Sequence, residues 1–182
     1  MRKVVVLASS LLLLLGVARA QVPSGNAFIG YSFYSTNLSS FDRVGINGWE
    51  ASLEGKILPF VGIVGDFDGH YGSESISSGC GFPASGCAFR SAISEYHYLV
   101  GPRVSVSAGK IRPFGQVLVG AGHVNVHLFS SETSLATAVG GGFDYKVIPL
   151  IAWRLQADYV YTQYFSRTQN NIRVSTGIVF RF

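Results

Sequence analysis

The side chains able to do chemistry in this chain are few: four histidines, two cysteines and a thin scatter of charge. Cys80 and Cys87 lie seven residues apart in a Gly-, Ser- and Pro-containing segment. A structural zinc site needs four ligands, and no histidine or second cysteine pair lies nearby in sequence to complete one. An even pair this close in an exported chain reads instead as a loop disulfide. His123 and His127 have a helical spacing, but on a strand they would stand about 13 Å apart, so they make no metal site. His70 and His97 are predicted to point inward from adjacent strands, as members of an interior polar network. A hydrolase would need a Ser nucleophile, a His base in reach and an orienting acid. No spacing here assembles the three, so no catalytic, cofactor-binding or metal-ligating residue is expected. Gly140-Gly141-Gly142 lacks the following helix that a phosphate cradle requires, and is expected to let a bulky neighbour fit instead.

The elements that hold these residues are strands. Helical periodicity is nearly absent, while two-residue alternation recurs in eight runs: 27–34, 49–57, 61–71, 95–106, 114–126, 135–147, 151–161 and 172–182. In the clearest, Trp153, Leu155, Tyr159 and Tyr161 take one face and Arg154, Gln156 and Asp158 the other. Most runs are longer than the roughly 5 to 6 residues usual in soluble strands and match the roughly 9 to 11 of a tilted membrane strand. Run five breaks the pattern, since His123 and Asn125 share parity with Val117 and Val119. A glycine bulge near Gly120-Ala121-Gly122 is expected to reverse the faces there. A Lys-apolar-x-Pro-apolar segment at 56–60, 110–114 and 146–150 predicts three short turns, alternating with longer polar loops at 35–45, 72–94, 129–134 and 162–170. Short turns at one end and long loops at the other are the asymmetry of an outer-membrane barrel.

Residues 1–20 read as a secretory signal peptide. Arg2 and Lys3 precede an apolar stretch at 4–17, and Ala18-Arg19-Ala20 is a cleavage site that leaves Gln21 first. The domain reading is therefore a signal at 1–20 and one barrel domain at 21–182. The formal charge of +4 falls to +1 on cleavage, eleven cations against ten acids. That excludes a nucleic-acid binder, which needs a concentrated basic surface. Hydrophobic residues make up 48% of the chain and charged residues 13%, against about 25% charged in a soluble domain. Part of the surface is expected to face something other than water.

Two placements of the apolar face compete. Turned inward, it gives a secreted lipocalin-like barrel with a ligand cavity; turned outward, it faces lipid. Aromatics favour the second. Trp49, Tyr71, Tyr96, Tyr98, Tyr159 and Tyr161 gather near the long loops, and Phe60, Phe114, Trp153, Phe180 and Phe182 near the short turns. Two bands are what an interfacial girdle requires. The inward set then holds Glu50, Glu54, Asp66, Asp68, Glu95, Asp144 and Asp158 opposite Lys56, Arg103, Lys146, Arg154, Arg173 and Arg181. Buried charges persist when paired, so these thirteen are expected to form a salt-bridge network. An eight-stranded barrel is just wide enough for side chains to fill, so a packed plug is favoured over an ion path.

With these residues in hand, the chain resembles the small eight-stranded barrels of the outer membrane protein A type. The carrier is the C-terminal Ser175-Thr176-Gly177-Ile178-Val179-Phe180-Arg181-Phe182. It looks like the signal read by bacterial barrel-assembly machinery, with Gly177, Phe180 and Phe182 as its marks. Phe28-Ile29-Gly30-Tyr31-Ser32 and Gly48-Trp49-Glu50 are also similar to such barrels. The peptidoglycan-binding domain that some members carry has no counterpart here, so no cell-wall tether is implied. Some small barrels modify lipid A, but the His-x-Ser pattern of the deacylases is missing.

The expectation is thus an all-β, eight-stranded, antiparallel up-and-down transmembrane barrel in the bacterial outer membrane. It is expected to be non-enzymatic and without cofactor, with a structural or surface-interaction role. Outer-membrane lipid and the assembly machinery are its expected partners, and any extracellular partner would be met by the loops. Loop 72–94 is the longest, with Phe82 and Phe89 and the Cys80–Cys87 bridge. A lipid A-modifying enzyme or a lipocalin-like binder is the alternative.

Overall fold

Eight strands form one closed antiparallel barrel in chain order, and the last pairs with the first. A computed structural model describes residues 24–36, 44–78, 87–126, 130–164 and 167–182. The strands are β1 (Gly25–Thr36), β2 (Val44–Lys56), β3 (Val61–Ser78), β4 (Cys87–Ser105), β5 (Ile111–Val126), β6 (Ser130–Ile148), β7 (Ile151–Tyr164) and β8 (Arg167–Arg181). The proposed signal at 1–20, Cys80, Phe82 and His127 lie outside the described residues, as do the side chains of Cys87 and Phe89.

Alternation decides the faces. Along β7, Ala152, Arg154, Gln156, Asp158 and Val160 are buried, while Trp153, Tyr159 and Tyr161 are exposed. The outer wall is apolar all round: Leu53, Phe67, Val100, Val117, Val139 and Ile178 each leave about half their surface uncovered. A lipocalin-like cavity would need the reverse, and the apolar faces point away from the interior.

Three features differ from the expectations of pattern. The strands run farther than the alternation. β3 and β4 stay paired out to Ser78 and Cys87, and β7 and β8 out to Tyr164 and Arg167. Much of what reads as loop is hairpin, because the backbone ladder does not need apolar contrast and continues through polar residues such as Ser130, Ser131 and Glu132.

The faces of β5 do not reverse. Its register with β4 and β6 is constant through Gly120-Ala121-Gly122, and Val124 remains inside while His123 remains outside. Residue chemistry inverts near the strand end; geometry does not. The one register shift described falls between Lys146 and Ile148.

The second short turn is made by Gly109 and Lys110, so that Ile111-Arg112-Pro113-Phe114 follow it in the strand instead of forming it. Ala108 and Ile111 form a bridge across a turn whose Gly109 has φ of +64°, a conformation that glycine adopts without steric cost. Arg112 and Phe114 therefore stand in β5 and point inward, and Phe114 leaves the expected outer girdle. Elsewhere the outer aromatics pair edge to face, as Phe67 with Tyr98 at 6.0 Å and Phe143 with Trp153 at 5.8 Å.

Candidate functional site: the barrel interior

Because alternate residues of every strand point inward, the interior is where the charge of the described residues concentrates. Glu50, Glu54, Asp66, Asp68, Glu95, Arg103, Asp144, Arg154, Asp158 and Arg173 are buried there. Three residues of the expected set are not. Lys146 is exposed beside the bulge at the short-turn rim, and Lys56 and Arg181 are only half-buried near the same end. All three are ladder-paired close to the short-turn end, as Lys56 with Gly62, Lys146 with Ala152 and Arg181 with Asn26. Sequence reasoning also missed Arg112, which is buried and holds Glu54. Its mis-set turn hid it, although its even parity with Gln116 and Leu118 was available.

The middle layer turns on Arg173. Its Nη1 donates to Asp66 Oδ1 at 2.7 Å and also to Asp68, its Nη2 donates to Asp158 Oδ2 at 2.9 Å, and its Nε lies 3.5 Å from Glu50 Oε2. Gln156 donates to Glu50 and to Asp158 Oδ2, the latter at 3.1 Å. Ser175 donates to Glu50, and its Oγ lies 2.8 Å from Ser32 Oγ. Breaking such a centre leaves uncompensated buried charge, which is where these pairs become costly.

Toward the short turns the charge is positive. Glu54 accepts from Arg103 at 3.2 Å, Arg112 at 2.9 Å and Asn26 at 2.9 Å. Asp144 accepts a two-pronged pair from Arg154 at 2.7 and 3.1 Å, with Arg181 at 3.6 Å. Phe114 lies between Arg103 and Arg154, whose guanidinium carbons sit 4.5 and 4.6 Å from its ring centre. Such stacking favours desolvated cations. Gln116 links the two layers, accepting from Arg103 Nε at 2.9 Å and donating to Asp158 Oδ1 at 2.8 Å.

On the other side of Arg173 stand Asp68, His70, Glu95 and His97, all buried. Asp68 Oδ1 lies 2.7 Å from His97 Nδ1 and 3.1 Å from His70 Nδ1. His97 Nε2 faces Glu95 Oε1 at 3.2 Å, and His70 Nε2 bonds Ser32 Oγ at 2.9 Å. Tyr34 stacks on His70 at 4.9 Å and tilts over His97 at 5.3 Å. Both imidazoles do point inward from adjacent strands; that they share a carboxylate follows from the β3–β4 register, which sets Asp68 opposite His97.

Apolar side chains, together with uncharged polar ones such as Ser52, Thr162 and Asn171, fill the rest of the interior. Val64, Leu99, Leu118, Ala138 and Val160 form one buried cluster, and Phe28, Ala152 and Val179 another. The filling is thus ionic, uncharged polar and apolar in turn. On the outer face, His123 Nδ1 lies 2.8 Å from Thr133 Oγ1 near the end of the barrel opposite the short turns.

No protein-family model and no curated protein matches this chain. Solved structures do. Neisserial surface protein A superposes with a TM-score of 0.70 at 13% identity, covering 87% of this chain and 97% of its own. Ail, the attachment invasion locus protein of Yersinia pestis, gives 0.59 at 17% identity, covering 88% and 99%. The outer membrane protein OprG of Pseudomonas aeruginosa gives 0.58 at 9% identity, covering 88% and 96%. At these identities the likeness is one of fold: this chain has the closed eight-stranded barrel found in small outer-membrane proteins.

Proposed function

We propose that the chain is a non-enzymatic bacterial outer-membrane protein, exported by the signal at 1–20 and spanning the membrane with its eight strands. Its role is structural or surface-interactive. The observation that carries this is the pairing of an apolar outer wall with a charge-filled interior. Water-facing barrels put their charge outside; lipid-facing ones have only the inside left for it. Solved barrels of the same fold support the same location.

The interior acts as a plug. Side chains of an eight-stranded barrel meet across its axis, as Arg173 of β8 meets Asp66 and Asp68 of β3. Gly177, Phe180 and Phe182 serve as the assembly signal, and both phenylalanines lie exposed on the outer side of the closing strand. Partner contact belongs to the hairpin ends opposite the short turns, of which β3–β4 reaches farthest. A lipid A enzyme would need its nucleophile and base on the outer wall. The His123–Thr133 contact supplies two such groups without an acid behind the imidazole among the described contacts.

Expression of the full chain in a Gram-negative host tests this reading. Exchange of segment 79–86 should abolish partner capture while leaving membrane insertion intact, and the mass profile of lipid A should not change. Acyl loss or addition in lipid A that depends on His123 would replace this reading with an enzymatic one.

A further inference from the structure

We propose that Asp68, His70 and His97 form a binding site for one divalent transition-metal ion, zinc being the probe, inside the barrel. Geometry comes first. The ligating atoms of the three residues all lie within 4.8 Å of one another. Around a tetrahedral zinc, ligand atoms stand about 3.3 Å apart, given bonds of roughly 2.0 to 2.1 Å. Asp68 Oδ1 already sits 3.1 Å from His70 Nδ1 and 2.7 Å from His97 Nδ1. Shifts of about 0.2 and about 0.6 Å open those two edges to that spacing, and the His70 and His97 nitrogens, within 4.8 Å of each other, close by up to about 1.5 Å.

The surroundings match what a metal-bound histidine requires. Such an imidazole turns its second nitrogen to a carboxylate, a carbonyl or another polar group, which fixes ring orientation and tautomer. His97 Nε2 lies 3.2 Å from Glu95 Oε1, an ion-pair distance without hydrogen-bond geometry, and His70 bonds Ser32 through Nε2, with Ser175 beside it in turn. The second oxygen of Asp68 is held by Arg173. Tyr34 packs on both rings. Each ring is thereby held by groups outside the site while one nitrogen points to Asp68 Oδ1.

Two independent observations point to a cation. His70 Nδ1 is fully buried and makes no hydrogen bond, although Asp68 Oδ1 is 3.1 Å away. The charge on this side of the barrel is also unbalanced, with Glu50, Asp66, Asp68 and Asp158 gathered around the single guanidinium of Arg173 and Glu95 beside His97. Buried carboxylates must be paired, coordinated to a metal or neutralised. Two imidazoles and one carboxylate select first-row divalent ions over calcium or magnesium, which take oxygen ligands. Three protein ligands leave a fourth position for water.

Titration of the untagged mature protein, folded in detergent, with zinc chloride tests the proposal by calorimetry and by competition with a chromophoric chelator. One ion per chain is expected. His70→Gln and His97→Gln should each weaken binding by at least about tenfold, whereas His123→Gln on the outer face should bind as the parent does. Unboiled electrophoretic mobility establishes that each variant is folded. X-ray absorption of the parent's zinc complex, which needs no variant, should show two imidazoles in the shell. Absence of stoichiometric binding, equal affinity in folded His70→Gln or His97→Gln, or a shell without imidazole would overturn the site.

Discussion

Arg173 on β8 and Asp158 on β7 are direct cross-strand partners, and the guanidinium Nη2 donates to Asp158 Oδ2 at 2.9 Å inside the barrel. The ladder thus brings one member of the central ion cluster to its place, and closure of the barrel delivers the others: Asp66 and Asp68 from β3 and Glu50 from β2. The cluster crosses the axis and ties the closing strand to the opposite wall.

Replacing Arg173 by Met should therefore cost more than a typical core substitution. Four carboxylates would lose their shared cation, and removing one partner of a buried pair costs about 3 to 5 kcal/mol. Urea unfolding followed by tryptophan fluorescence measures this. A companion Arg181→Met, half-buried at the rim and 3.6 Å from Asp144, should cost less than about 1 kcal/mol.

Val117 and Val139 face each other across β5 and β6 on the outer wall. Arginine at Val139 should destabilise the barrel in lipid by about 2 to 4 kcal/mol if that wall lies near the membrane midplane. Folding equilibria in phosphatidylcholine vesicles give the value, and a neutral result would argue against lipid at that position.

Two glycines should behave oppositely. A Cβ on Gly140 would stand 2.3 Å from both the Ala157 carbonyl oxygen and Asp158 Oδ1, while one on Gly55 meets nothing within 4 Å. Gly140→Ala should cost about 1 to 3 kcal/mol as overpacking and disturb the Asp158–Gln116 link. Gly55→Ala should stay within about 0.5 kcal/mol of the parent. Chemical unfolding of the two variants side by side checks the contrast.

Much of the fold was legible because a strand's side-chain period is two: Trp153 and Arg154 reveal their faces by chemistry alone. The eight strands and their closure follow. Legibility failed where chemistry and geometry part company. His123 and Val124 exchange residue type without exchanging sides, and a turn at Gly109 moves Arg112 and Phe114 inside. Lys146 has inward parity and pairs with buried Ala152, yet it is exposed beside the register shift to Ile148. The Asp68–His70–His97 cluster was hidden for another reason. Parity puts all three inside, but only the β3–β4 register brings residue 97 opposite residue 68, and hairpin register depends on turn geometry.

A closed barrel that lives in a membrane underlies every prediction above. Electrophoretic mobility of the mature chain, extracted from membranes in detergent and run unboiled and boiled, tests it most directly. The account predicts recovery from the outer-membrane fraction and a fast-migrating unboiled band that slows on boiling. A periplasmic protein that stays soluble without detergent and shows no mobility shift would contradict it.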